Sequence, residues 1–251
     1  MFIPISDYPP SRGVPWMTIA LIVVNVAVYL LITLPLSAER PAPNDPLLRE
    51  YLRAMGSALP PNVPLQAVLA EITRYDLFVF AHGFRPAAPS AADLFTAMFL
   101  HGGFLHLAGN MLYLWVYGDN VEHRLGPVWF LFWYLATGAA ATLFFTLFAW
   151  NAQVPLVGAS GAISGVLGFY FVWFPFNTVR LFVFLFPFYV GNLFLNARIV
   201  LGLYLVVDNL FPLLFAGAGS PVAHGAHIGG FIAGMAAAWW MRGRATPDRA
   251  V

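Results

Sequence analysis

The sequence predicts an all-α fold: a polytopic membrane bundle of six transmembrane helices, forming one domain over residues 1–251. Three observations carry this. Apolar residues make up 60% of the chain and charged residues 9%, against roughly 25% charged in ordinary soluble domains. The mean hydropathy of +0.75 is too high to hide inside one water-soluble globule of this size. Six apolar runs recur at lengths near that of a bilayer crossing, where about 20 residues at 1.5 Å each suffice.

Composition also narrows the chemistry. Zero Cys removes disulfides, thiolate metal sites and cysteine nucleophiles. A net charge of +1, with all twelve basic residues Arg, gives no support for a nucleic-acid partner. Twenty-four Phe, ten Tyr and eight Trp suit a lipid-facing surface with interfacial aromatic anchors.

The first apolar run covers residues 14–36. It lacks a small-residue cleavage site, so a retained helix is the reading and a signal peptide the alternative. Residues 37–93 then carry five Arg and six acids. Their apolar pieces, 46–55 and 64–84, are interrupted by charge and proline and predict short amphipathic helices on the membrane face. Five further spans follow at about 104–117, 128–150, 157–174, 199–215 and 222–241. Residues 181–195 are apolar but broken by Pro187, Gly191 and Asn192. They are read as a membrane-dipping connection, with a seventh span as the alternative.

Six spans place both ends on one side. That side holds Arg12, Arg124, Arg180, Arg198, Arg242, Arg244 and Arg249, while the short opposite loops 151–156 and 217–221 hold no basic residue. The positive-inside rule makes both termini cytoplasmic, in the inner cell membrane if the source is prokaryotic.

Spans two, four and six then all enter from the outside, and each carries polar residues near that end. His106 and Asn110 stand one turn apart on span two. Ser160 lies in Gly158-Ala159-Ser160-Gly161 on span four, and His227 in Ala226-His227-Ile228-Gly229-Gly230 on span six. Polar groups in a span are costly, so their common depth calls for a cause. Acyl transfer fits: imidazole can take the proton of a serine hydroxyl. A backbone N–H beside Ser160, with Asn110 and His106, can donate to the tetrahedral oxyanion.

These segments resemble the rhomboid family, in its prokaryotic six-helix type. The run from His101 through Gly102, Gly103 and His106 to Asn110 is similar to the family's H-x-x-x-N segment. The stretch Gly118-Asp119-Asn120-Val121-Glu122-His123-Arg124-Leu125-Gly126 resembles the loop that follows it. The glycine-flanked Ser160 and His227 segments resemble the family's G-x-S-G and A-H-x-x-G motifs. The likeness spans about residues 95–234 in family order. It implies an intramembrane serine endopeptidase that cuts transmembrane helices of other membrane proteins. Ser160 would be nucleophile and His227 general base, in a dyad without a third residue, with His106 and Asn110 in the oxyanion hole. Span five and the residues before it would border the substrate's lateral entry route. Two positions depart from the family. Many members carry an aromatic residue where Ser164 stands, and a neutral polar residue is more usual at Asp208.

Blander readings stand beside these. Ser164 with Gly161, Gly165 and Gly168 can simply let span four pack closely, and Gly230 and Gly234 form a matching small-residue face on span six. Gly158 and Gly161 support the serine, and His101 is a structural donor to the first loop. Asp208 is open between a structural hydrogen-bond partner and a charge that orients His227. The pair His224 and His227 has no neighbouring carboxylate, and the H-E-x-x-H pattern is absent, so no metal and no cofactor are expected. Two functions compete with proteolysis: a catalytically inactive relative that binds membrane clients, and a small transporter, for which inverted repeats are lacking.

Overall fold

The computed structural model describes residues 2–11, 13–56, 64–215 and 223–243. Arg12, Arg244, Arg249, the loop 217–221 and residue 222 of the last expected span lie outside the described residues. The chain opens with β1 (Phe2–Tyr8) and α1 (Trp16–Val28), which runs through a π turn into α2 (Leu34–Ser37). Then come α3 (Pro46–Met55), α4 (Leu65–Glu71), α5 (Arg74–His82) and α6 (Asp93–Thr96). The long helices α7 (Phe104–Leu125), α8 (Pro127–Thr146) and α9 (Ser160–Trp173) follow. A hairpin of β2 (Thr178–Leu185) and β3 (Tyr189–Asn196) leads into α10 (Ala197–Leu205), α11 (Phe211–Phe215) and α12 (His224–Trp240).

The molecule is mostly helical, but the expected all-α class needs one correction. β1, β2 and β3 form an antiparallel sheet in that order. In β2 the side chains alternate: Val179, Leu181 and Val183 are buried while Arg180 and Phe184 are exposed. That is a period of two, which a helix cannot satisfy. Pro187 lies in the hairpin tip, beyond the paired Leu185 and Tyr189. Gly191 and Asn192, read from sequence as helix interruptions, are strand residues.

Two compact units divide the chain: Met1–Ile22, Ala108–Phe148 and Ser160–Val251 in the first, Val23–Leu107 and Ala149–Ala159 in the second. In the second, the expected apolar piece 64–84 is two helices. Thr73 breaks it by capping α5, accepting from the Asp76 N–H while Asp76 accepts from the Thr73 N–H, a reciprocal capping box. α3 keeps its expected bounds, its N-cap Asp45 accepting from Leu47 N–H at 2.9 Å. Leu48, Ile72 and Leu77 form a small core beneath these helices.

The first unit is built around α9. Its residues from Ala162 to Tyr170 are all buried, as expected of a helix apolar on every side. α12 and α8 flank it. Small residues set the approach: a Cβ on Gly230 would lie 2.1 Å from the Gly161 carbonyl oxygen, and one on Gly234 would lie 1.9 Å from that of Gly165. α7 runs eight residues beyond its expected end at residue 117. Its charged end remains helical because Glu122 accepts from Met17 N–H at 2.8 Å and Thr18 N–H at 2.7 Å, at the start of α1. There the carboxylate meets the positive end of the helix dipole.

Three described helical runs are long and apolar enough to cross a membrane: Trp16–Ser37, Pro127–Thr146 and Ala197–Phe215. Ser160–Trp173 is apolar but shorter.

Candidate active site

α9 begins at Ser160. Two residues earlier Gly158 takes φ +122°, a left-handed conformation glycine adopts without strain, and its N–H donates to the Ala97 carbonyl at 2.9 Å. The first N–H groups of α9 have no partner within the helix. Across the glycine contact, the first turn of α12 carries His227. Its Nε2 lies 2.8 Å from Ser160 Oγ. Both residues are half-exposed. The close approach at Gly161 and Gly230 therefore places a hydroxyl and an imidazole within hydrogen-bond reach.

The other ring nitrogen also has a partner. Nδ1 of His227 lies 2.7 Å from Asn209 Oδ1. Asn209 is 1% exposed and sits in a π turn, Val206–Leu210, between α10 and α11. Its Nδ2 donates to the Tyr204 carbonyl at 2.8 Å. The Tyr204 ring faces His227, with centroids 6.5 Å apart and planes 25° from parallel. Its hydroxyl lies 2.9 Å from Ser164 Oγ. Ser164 thus meets an aromatic supplied by a different helix.

Asn110 stands on α7 and is buried, and its side-chain nitrogen meets no acceptor among the described residues. His106 stands one turn earlier on that helix, within the second unit. There the His106 ring lies edge-on to that of His101 at 5.1 Å. His101 is held through its backbone: the Tyr75 hydroxyl donates to its carbonyl at 2.8 Å and accepts from its N–H at 3.1 Å. Burial holds the His101 imidazole down at about 4, and the neighbouring His106 adds to this, so His101 is neutral at physiological pH. Gly161 fills a packing role, since a Cβ there would lie 2.8 Å from that of Ala141.

Asp208 stands beside the residue that makes the Nδ1 contact with His227. Its side chain is exposed, and the residue that meets His227 is its neighbour Asn209. The π turn is the reason: one extra residue per turn rotates the following side chains relative to a regular helix. Sequence reading missed Asn209 and Tyr204. The available signal was a second polar residue beside Asp208 in an otherwise apolar span.

Comparison with known proteins adds a family. The Rhomboid domain model matches residues 89–244, more than half of the chain. Rhomboid protease GluP of Bacillus subtilis is 36% identical over 145 residues, covering 58% of this chain and 25% of that protein. Rhomboid protein 1, mitochondrial, of Saccharomyces cerevisiae is 36% identical over 102 residues, 39% of this chain and 30% of the relative. RHOMBOID-like protein 1 of Arabidopsis thaliana is 40% identical over 75 residues, 30% of this chain and 19% of the relative. The matched stretches thus span less than a third of these curated relatives.

Proposed function

Since the chain belongs to the rhomboid family, a family of integral membrane proteins, we propose that it is an intramembrane serine endopeptidase acting on transmembrane helices of other membrane proteins. The observation that carries this reading is the 2.8 Å contact between Ser160 Oγ and His227 Nε2. His227 Nε2 takes the hydroxyl proton as Oγ attacks the scissile carbonyl carbon. The carbonyl oxygen becomes an oxyanion and accepts hydrogen bonds from the N–H groups at the start of α9 and from the Asn110 amide. Burial of an Asn110 nitrogen without an acceptor supports that assignment, because an unpaired buried donor is costly unless a ligand uses it. His106 is the second side-chain donor by its place in the family's motif.

His227 then passes its proton to the departing amine, leaving an ester on Ser160. A water molecule, deprotonated by His227, hydrolyses that ester and restores both residues. The matching topology is six spans with both termini cytoplasmic and the dyad near the outer face. The substrate enters sideways beside α10 and α11.

Labelling with a fluorophosphonate in detergent tests the proposal. Ser160 should be modified, and Ser160→Ala and His227→Ala should abolish the signal. A wild-type protein that folds and takes up no label would instead be an inactive client binder.

A further inference from the structure

The network behind His227 reaches one residue beyond a dyad, and its hydrogen-bond directions can be worked out. A backbone carbonyl only accepts. The Asn209 atom 2.8 Å from the Tyr204 carbonyl must therefore be Nδ2, a donor, which settles an orientation that heavy-atom positions alone leave ambiguous. Oδ1 is then the atom 2.7 Å from His227 Nδ1. An amide oxygen only accepts, so Nδ1 carries the hydrogen. In neutral imidazole the proton on one nitrogen leaves a lone pair on the other. Nε2 is thus bare and directed at Ser160 Oγ, 2.8 Å away.

From this chain of donors and acceptors we propose that Asn209 is the positioning residue of the site. It selects the Nδ1–H tautomer of His227 and fixes the ring's direction, so that Ser160 belongs to a Ser–His–Asn relay. The inference rests on the dyad proposed above. Asn209 acts through His227 and does not touch substrate. Its role resembles that of the carboxylate in a Ser-His-Asp triad, which orients the imidazole and stays unprotonated.

Three further features suit this role. Asn209 is 1% exposed, so water does not compete for its oxygen. Asn209 sits within the π turn, and its Nδ2 donates to the carbonyl five residues back, at Tyr204. The same turn thus orients the amide and aims it at α12. Tyr204 continues the arrangement, with its ring beside His227 and its hydroxyl on Ser164. An amide suits the position better than a carboxylate, whose second oxygen would face the Tyr204 carbonyl.

Three variants of the full-length protein, compared by rate of fluorophosphonate labelling in detergent, test the inference. Asn209→Leu keeps the volume and removes the acceptor, and should label about a hundred-fold more slowly, since loss of an orienting group costs up to about 10⁴ in a related triad. Asn209→Asp retains an acceptor for Nδ1–H and should stay within about ten-fold of wild type, whatever its melting temperature. Ser160→Ala run in parallel should take up no label. Wild-type labelling by Asn209→Leu, or equal losses in Asn209→Leu and Asn209→Asp, overturns the positioning role and leaves the dyad standing. Label retained in Ser160→Ala overturns the dyad itself. If Asn209→Leu does not fold, Asn209→Ala against Asn209→Asp makes the same comparison.

Discussion

At the residue scale, the proposed site separates groups that would act through their chemistry from groups that would act through position. Ser160 and His227 could be singled out from sequence because a hydroxyl and an imidazole, each flanked by glycine at similar depth, have few other uses in a span. Asn209 could not, because its importance lies in the direction its side chain takes. A regular helix places Asp208 and Asn209 about 100° apart, and only the π turn decides which faces α12. Asp208→Asn should therefore leave the labelling rate within about two-fold of wild type. A ten-fold change would restore Asp208 to the site. Asn110→Ala should lower turnover on a reconstituted helical substrate by roughly ten- to a thousand-fold with the fold retained, since one donor to a developing oxyanion is worth a few kcal/mol. Full turnover in that variant would remove Asn110 from the mechanism.

At the element scale, the contact between α9 and α12 governs the geometry. A Cβ on Gly234 would lie 1.9 Å from the Gly165 oxygen, a backbone atom that cannot swing aside. Gly234→Ala should lower stability by about 1–3 kcal/mol and, by parting the helices, slow Ser160 labelling as well. Melting and labelling measured on one preparation check both; labelling at the wild-type rate would show that the dyad tolerates the separation.

The N-terminal strand is held by another polar cluster at the far end of α9. Asp7 accepts from the Tyr170 hydroxyl and from Asn120 Nδ2 at 2.6 Å, with Asn177 Nδ2 at 3.5 Å. Burial pushes the Asp7 carboxyl up to about 6, the Tyr170 hydrogen bond opposing and the Asp119 charge adding. The ordinary value is 3.8, so between about pH 4 and 6 the folded protein holds a proton that the unfolded chain releases. Stability from this group is greatest below that window and falls as pH rises through it. Asp7→Asn should therefore gain melting temperature relative to wild type from pH 4 to pH 7.5. A difference that does not vary with pH would exclude ionised Asp7 as a source of strain.

At the scale of the whole molecule, the seat in the bilayer has to accommodate a sheet. β3 is an edge strand, and unpaired edge groups are not tolerated in hydrocarbon. Yet Phe186 and Phe188 at the hairpin tip are 75% and 91% exposed, and the only charges from residue 178 to 198 are Arg180 and Arg198. Backbone polarity should therefore keep the hairpin out of the hydrocarbon core, while aromatics and arginines suit the headgroup layer. The absence of native cysteine makes Phe188→Cys a unique labelling point. A polarity-sensitive fluorophore there should shift to the blue in vesicles containing anionic lipid and be quenched by lipid-borne quenchers. Water-like emission with quenching by aqueous iodide would place the tip in solvent.

The sequence by itself determined that this is a helical membrane protein, where most apolar runs lie, and which serine and histidine are the candidates that the fold brings together. Those properties follow from residue type and spacing along the chain: hydropathy summed over a run, and glycines recurring on one helix face. Tertiary structure alone decided that residues 178–196 pair as strands with β1, that Thr73 splits an amphipathic piece into two helices, and that Asn209 rather than Asp208 reaches His227. Each of these depends on a partner distant in the chain or on a local change of helical pitch. β1 lies more than 160 residues before β2, and Asn209 meets its histidine only because a π turn redirects it toward α12.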